Sequence, residues 1–256
     1  MKVIILAGGV GTRLAEETEI TPKPMVEIGG HPILWHIMKQ YAYYGFKEFY
    51  IALGYKGDVI KRYFLDYYSL SRNMTIDYVT DKVEMYDKEQ EDWVVHLIET
   101  GLNTNTGGRI KRLEKWLNGN TFMVTYGDGV SDVNLQELLR FHQSHGRIAT
   151  VTAVRPPARF GGLIFNGDLV ADFTEKPQIG EGWINGGFLV FNSEIFSYLE
   201  GDQSSLEGDA LEQLAKNGQL AAYRHDNFWQ CMDTLRDKRL LESLWQQKEA
   251  PWKIWS

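Results

Sequence analysis

The apolar run Val3-Ile4-Ile5-Leu6-Ala7 stops at Gly8-Gly9-Val10-Gly11, and that junction constrains the fold more than any other feature of the chain. An unbroken apolar run of this length predicts a strand buried on both faces, because a strand with one wet face would alternate. Such strands belong to parallel sheets covered by helices. Pro32 then opens an amphipathic helix through Ile33, Leu34, Ile37, Met38 and Tyr41, with Gly45 as its stop. Residues 49–53, 75–79, 93–98, 121–125 and 148–154 read as strands, and 59–68, 108–117 and 135–145 as helices. The later text is strand-rich, at 163–165, 169–173, 188–191 and 220–223. Strand-helix-strand order predicts right-handed crossovers and an α/β class. The expected architecture is a Rossmann-like mixed, mainly parallel sheet flanked by helices, with a small β-rich part and a C-terminal helix.

Nothing repeat-like or linker-like divides the first 225 residues, so 1–225 reads as one core and 226–256 as a C-terminal extension. A net charge of -7 argues against nucleic acid as a general partner. The single cysteine, Cys231, excludes an internal disulfide and a cysteine metal cluster, and fits a reducing cytoplasm. No apolar stretch reaches membrane-spanning length, and residues 3–7 lack a cleavage pattern, so they are a strand and not a signal peptide.

Ligands of open parallel sheets gather at the carboxyl ends of strands. After the first strand, Gly8, Gly9 and Gly11 allow close backbone approach to a phosphate, and Arg13 adds a planar cationic fork. A dinucleotide fingerprint would need Gly or Ala where Leu14 stands, and a Walker A loop would need Lys followed by Ser or Thr after Gly11. Neither is present. Instead a polar segment, 16–24, leads to Pro22-Lys23-Pro24, where two prolines restrict the lysine backbone. At this level a turn that needs glycine only for geometry, and a lysine that is only solvated, remain open.

Five segments in order carry a resemblance: Leu6-Ala7-Gly8-Gly9-Val10-Gly11-Thr12-Arg13, Pro22-Lys23-Pro24-Met25-Val26, Gly127-Asp128-Gly129, Glu175-Lys176-Pro177 and Asn185-Gly186-Gly187. Together they resemble the sugar-nucleotide pyrophosphorylases, a family of nucleotidylyltransferases. Thr106-Gly107-Gly108-Arg109, Thr125-Tyr126-Gly127-Asp128-Gly129 and Met232-Asp233-Thr234-Leu235-Arg236-Asp237 are similar to the branch that joins CTP to glucose 1-phosphate. Cys231 stands where that branch is expected to have proline, and Gly161-Gly162-Leu163-Ile164 differs at the start of a strand.

The resemblance implies the nucleotide-diphospho-sugar transferase fold, with a nucleotide half at about 1–130 and a sugar-phosphate half at about 131–225. It implies in-line attack of a sugar phosphate on the α-phosphorus of CTP, giving CDP-glucose and pyrophosphate. The nucleophile is already anionic, so charge neutralisation and not base catalysis is the requirement. Asp128 and Asp233 are then expected to hold Mg²⁺, and Arg13 and Lys23 to grip the triphosphate. Leu6, Ala7, Gly8, Gly9, Gly11, Thr12, Thr104, Thr106, Gly107, Arg109 and Gly127 would line the nucleotide. Tyr126, Glu175, Lys176, Asn185 and Gly186 would hold the sugar phosphate. Another nucleoside triphosphate such as dTTP or UTP, another sugar phosphate, or a non-catalytic regulatory subunit are the alternatives.

His142 and His145 lack the carboxylates of a zinc motif and are expected at the surface. The charged run 81–92 reads as a solvated hairpin or flap, and a comparable insertion helps subunits meet in the cytidylyltransferases. Leu240, Leu241, Leu244, Trp245, Trp252 and Trp255 suggest apolar surface for a homo-oligomer, a hexamer by resemblance.

Overall fold

Side chains alternate through β1 (Lys2–Leu6): Val3 and Ile5 enter one apolar core, Ile4 and Leu6 a second on the opposite face. The first strand is therefore covered on both sides, as its unbroken apolar run requires. The computed structural model describes residues 1–11, 21–70, 73–86, 91–117, 119–156, 162–166, 169–174 and 182–255. After β1 come the short pair β2 (Glu27–Ile28) and β3 (His31–Pro32), helix α1 (Ile33–Tyr43), β4 (Glu48–Leu53) and α2 (Gly57–Leu70). Next are β5 (Asn73–Asp77), β6 (Lys82–Tyr86), β7 (Val94–Glu99), α3 (Thr106–Arg112), α4 (Glu114–Leu117), β8 (Phe122–Tyr126) and β9 (Gly129–Ser131). The remainder contains α5 (Leu135–His145), β10 (Ala149–Val154), β11 (Gly162–Asn166), β12 (Leu169–Thr174), β13 (Ile184–Phe191) and a π-helix, Leu206–Leu211. It ends with α6 (Glu212–Lys216), β14 (Leu220–His225), β15 (Trp229–Cys231) and α7 (Leu235–Gln246).

One seven-stranded sheet, in the order β14-β10-β13-β8-β1-β4-β7, runs through both halves of the chain. It is parallel at β8-β1, β1-β4, β4-β7 and β10-β14; only β13 is reversed, pairing antiparallel with β8 and β10. The mixed, mainly parallel sheet expected from the sequence is the one observed. Residues 108–117 are not one helix. A bond from the Leu113 amide to the Ile110 carbonyl at 2.9 Å tightens the chain there and separates α3 from α4. The strand expected at 75–79 sits two residues earlier, because Asp77 accepts from the amides of Val79 and Thr80 and closes a turn.

Two surface assignments are corrected. His142 follows Leu135 and Leu138 on the buried stripe of α5 and is only 2% exposed. Its Nδ1 meets Thr150 Oγ1 at 2.9 Å and its Nε2 meets Asn192 Oδ1 at 3.1 Å, so the ring is a buried polar pin. The C-terminal aromatics are likewise not outward. Leu241, Trp252 and Trp255 join the core under α1, and Leu240 alone of the six apolar residues named is an exposed one.

His36 organises that C-terminal packing. The Trp252 indole donates to His36 Nδ1 at 3.3 Å, and His36 Nε2 donates to the Ile28 carbonyl at 2.8 Å. Trp35 and Trp245 pack edge-on to its ring, with centroids at 5.1 and 4.7 Å. Gly29, at φ 59°, makes room: a Cβ there would stand 1.9 Å from Trp245 Nε1. Burial drives the His36 pKa down to about 4. The unfolded chain takes up this proton below about pH 6.5 and the native state does not, so stability drains as pH falls from there towards 4. The full contribution is on the order of 3 kcal/mol. The melting temperature should therefore fall between pH 7 and pH 5, and His36→Gln, less stable at pH 7, should fall less steeply over the same interval. Parallel pH dependence in the two proteins, followed by circular dichroism, would remove His36 from this role.

Candidate active site

The chain moves from β1 to β4 and β7 on one side, then returns to place β8 on the other side of β1. That reversal opens a crevice beyond the carboxyl ends of β1 and β8. A cleft of about 350 Å³ occupies it, lined by Leu6, Ala7, Gly8, Gly9, Gly11, Lys23, Pro24, Thr104, Asn105, Thr106, Arg109, Tyr126, Gly127 and Asp128.

The three glycines differ in their surroundings. Gly11 has φ 67°, a conformation that a side chain disfavours. A Cβ on Gly8 would lie 2.2 Å from Arg109 Nη1, so Gly8 yields its space to that guanidinium. Around Gly9 no described atom lies within 4 Å of where a Cβ would stand, and its φ is not positive.

Arg109 is 5% exposed and burial lowers its pKa, with the charge of Arg112 acting in the same direction. Its Nη1 donates to the carbonyls of Leu53 and Gly101 and to Thr100 Oγ1; its Nη2 donates to the carbonyls of Gly8 and Leu102. The side chain thus ties the glycine loop to the ends of β4 and β7.

Lys23 lies in a short 3₁₀ turn, Lys23–Met25, started by the Met25 amide bonding to the Pro22 carbonyl at 2.8 Å. Pro24 and Met25 are buried, and Pro24 packs where Gly127 lacks a side chain. The lysine is therefore held, with a side chain only 12% exposed. Its Nζ donates to Asp128 Oδ2 at 2.6 Å and to Asp233 Oδ1 at 2.5 Å. Burial works against the ammonium, but the charges and hydrogen bonds of Asp128 and Asp233 outweigh it and raise its pKa.

The two aspartates meet because β9, directly after Asp128, pairs with β15, directly before Met232 and Asp233. The Met232 amide bonds to the Asp128 carbonyl at 2.8 Å. Asp237 accepts from the amides of Asp233 and Thr234 and completes a capping box at the start of α7. Cys231, on β15, stays a thiol: burial, then the charges of Asp233 and Asp128, push its pKa up to about 12. Among the described residues no group of three or more His, Cys, Asp or Glu gathers as a metal site. The pair Asp128 and Asp233 converging on one cation is what the described residues offer.

The remaining expected residues divide. Thr104 and Thr106 line the cleft, but the Thr106 hydroxyl already donates to Glu207 Oε2 at 2.6 Å and accepts from the Leu206 amide at 3.0 Å. Gly107 instead faces Ser204 and Leu206, whose backbone would collide with a Cβ. Asn185 and Gly186 lie inside β13 and not before it. Asn185 Nδ2 donates to the Tyr126 hydroxyl at 3.2 Å, and Gly186 gives its carbonyl to Trp229 Nε1 at 2.7 Å. Thr12, Arg13, Glu175 and Lys176 lie outside the described residues. Asn105 and Pro24, which also line the cleft, fall within segments the sequence singled out, 104–109 and Pro22-Lys23-Pro24. Glu207 does not, and nothing local marks it.

The nucleotidyl transferase family pattern matches residues 2–246. The chain is 48% identical to a glucose-1-phosphate cytidylyltransferase of Salmonella typhimurium over 100% of both chains. It is 44% identical to a probable glucose-1-phosphate cytidylyltransferase of Bacillus subtilis, again over 100% of both. Among solved structures, HddC from Yersinia pseudotuberculosis superposes with a TM-score of 0.71 at 25% identity, covering 95% of this chain and 99% of that one. With its mixed sheet, switch-point cleft and full-length similarity, the chain belongs to the nucleotidyl transferase family.

Proposed function

We propose that the protein transfers the cytidylyl group of CTP to α-D-glucose 1-phosphate, giving CDP-glucose and pyrophosphate. The base and the sugar follow from the full-length likeness to glucose-1-phosphate cytidylyltransferases. The chemistry rests on one observation: the Lys23 ammonium between Asp128 and Asp233, beside the glycine loop.

In the proposed step a sugar-phosphate oxygen bonds to the α-phosphorus as the bond to the α,β-bridging oxygen breaks. The electron pair leaves with pyrophosphate, and no proton need move. The protein's task is to align two polyanions and neutralise developing charge. Lys23 supplies a desolvated positive charge for the triphosphate, and the backbone at Gly8, Gly9 and Gly11 lets it approach. Two carboxylates that converge on one cation fit a hard divalent ion, so Asp128 and Asp233 would hold Mg²⁺. When bound, that ion supplies charge neutralisation for phosphoryl oxygens. By resemblance, Arg13 and Thr12 would join Lys23, Thr104 and Arg109 would contact base and ribose, and Glu175, Lys176, Asn185 and Gly186 the sugar phosphate. The nucleotide half would be 1–130, the sugar-phosphate half 131–225, with 226–256 supplying the second metal ligand.

The proposed setting is the cytoplasm, in keeping with a lone cysteine and with the absence, among the described residues, of a helix long and apolar enough to cross a membrane. A homo-oligomer, a hexamer by resemblance, is supported by β5 and β6. Among the described residues they pair only with each other, and between and along them Tyr78 is 85% and Val79 93% exposed, beside exposed Ile76, Val83, Met85 and Tyr86.

Pyrophosphate release from glucose 1-phosphate and CTP should require Mg²⁺, stop with EDTA, and exceed release from TTP or UTP. Release that prefers TTP or UTP would overturn the base assignment. Asp128→Asn and Lys23→Ala should each lower kcat by about 100-fold or more. Near-normal turnover of Asp128→Asn with Mg²⁺ would overturn its place as a metal ligand. Light scattering should give a mass well above the 29.4 kDa chain, lowered by Val79→Asp with Val83→Glu; a wild-type monomer would end the oligomer proposal.

A further inference from the structure

The π-helix Leu206–Leu211 plays no part in the reaction outlined above. Single π turns are uncommon and recur at functional sites. Its second residue, Glu207, is exposed, yet both of its oxygens are engaged at the rim of the cleft. Oε1 accepts from the Tyr126 hydroxyl at 2.5 Å, and Oε2 accepts from Thr106 Oγ1 at 2.6 Å and from Ser205 Oγ at 3.2 Å. These are hydrogen bonds to a carboxylate, the stronger class.

The two hydroxyls come from different elements of the cleft lining. Thr106 begins α3, and Tyr126 ends β8. Donation fixes what each can still do. Thr106, donating to Glu207, accepts from the Leu206 amide at 3.0 Å. Tyr126, donating to Glu207, accepts from Asn185 Nδ2 at 3.2 Å. Asn185 Oδ1 accepts from the Gly187 amide at 2.9 Å. The amide of Asn185 is thereby oriented at both ends, and one of its two N–H bonds has no partner among the described residues.

The backbone is shaped to permit this chain of bonds. Gly187 has φ 85°, and a Cβ there would lie 2.6 Å from Tyr126 Cδ2; one on Gly186 would lie 2.6 Å from Val154 Cγ1. Gly187 lets β13 press against the Tyr126 ring, and Gly186 lets it lie against Val154. Burial first, and then the Glu207 charge, hold the Tyr126 phenol well above its ordinary pKa, so its proton remains available to donate.

We infer that Glu207 is a positioning residue. By gathering Thr106 and Tyr126 on one carboxylate it fixes the start of α3 against the end of β8 in the cleft lining and orients the Asn185 amide. This rests on the reading of the cleft as the site where nucleotide and sugar phosphate meet. Glu207 touches neither reactant; it acts through Tyr126 and Thr106. Its loss must therefore appear as misalignment between two substrates, and must shrink where Tyr126 has already lost its hydroxyl.

The test is pyrophosphate-release kinetics on wild type, Glu207→Ala, Glu207→Gln, Tyr126→Phe and Tyr126→Phe/Glu207→Ala, with melting temperatures for all. Glu207→Gln keeps the volume and guards against misfolding of the alanine variant. It should lose activity as well, because a neutral amide cannot accept from hydroxyls on both sides. Expected is a loss in kcat/KM of about tenfold for Glu207→Ala, a smaller one for Glu207→Gln, and melting within about 2 °C of wild type. On the Tyr126→Phe background, Glu207→Ala should cost less than about threefold further. Wild-type activity with Glu207→Ala and Glu207→Gln both within twofold of it would overturn the inference. So would fully additive losses in the double variant, or loss of activity that follows a lowered melting temperature. A wild type that releases no pyrophosphate from any nucleotide would be the distinct failure of the proposed function.

Discussion

A lysine ammonium withdrawn from water is costly unless opposite charges meet it, and at Lys23 two carboxylates do so at 2.6 and 2.5 Å. Much of the architecture exists to make that meeting possible. Prolines and a 3₁₀ turn fix the lysine backbone. The end of β8 delivers Asp128, and the β9–β15 pairing with the Thr234–Asp237 capping box delivers Asp233. The side chains remain 12%, 29% and 20% exposed, so solvent screens part of the attraction and still reaches the group. In the proposed reaction the same three charges would serve both stability and reactivity.

The reversed strand β13 solves a second problem. Six parallel strands place their carboxyl ends on one edge, and each can offer that edge only its last residues and the loop beyond them. Running the other way, β13 brings its beginning to that edge, so Asn185 and Gly187 reach Tyr126 from within a strand. A rigid element therefore carries Asn185 and Gly187. Its glycines leave room for the Tyr126 ring and Val154, which a loop could do with less accuracy.

Much of this was legible from the sequence. The apolar run 3–7 required a strand covered on both faces, and the glycines after it marked the crevice correctly. Lys23, Asp128 and the cleft position of Thr104 and Arg109 followed from motifs. Pairing at long range could not be read. The burial of His142 was available from its spacing with Leu135 and Leu138, but the absence of a metal partner drew attention away from packing. The C-terminal aromatics looked like exposed surface because nothing local tells that Trp252 reaches His36. Glu207 escaped for the same reason: its partners, Thr106 and Tyr126, are 101 and 81 residues away. The commitment of the Arg109 donors to backbone carbonyls was equally invisible, because it depends on where three strands end.

The spacing of the central charges has a consequence for folding. Lys23 is separated from Asp128 by 105 residues and from Asp233 by 210, so the cluster cannot assemble within any local unit. Closing such large loops is slow, and it rewards the chain only after strands from both halves have docked into one sheet. The centre must therefore be among the last features to form during refolding and among the first to be lost on partial opening. A spectroscopic label near Lys23 would report the arrival of the whole native sheet.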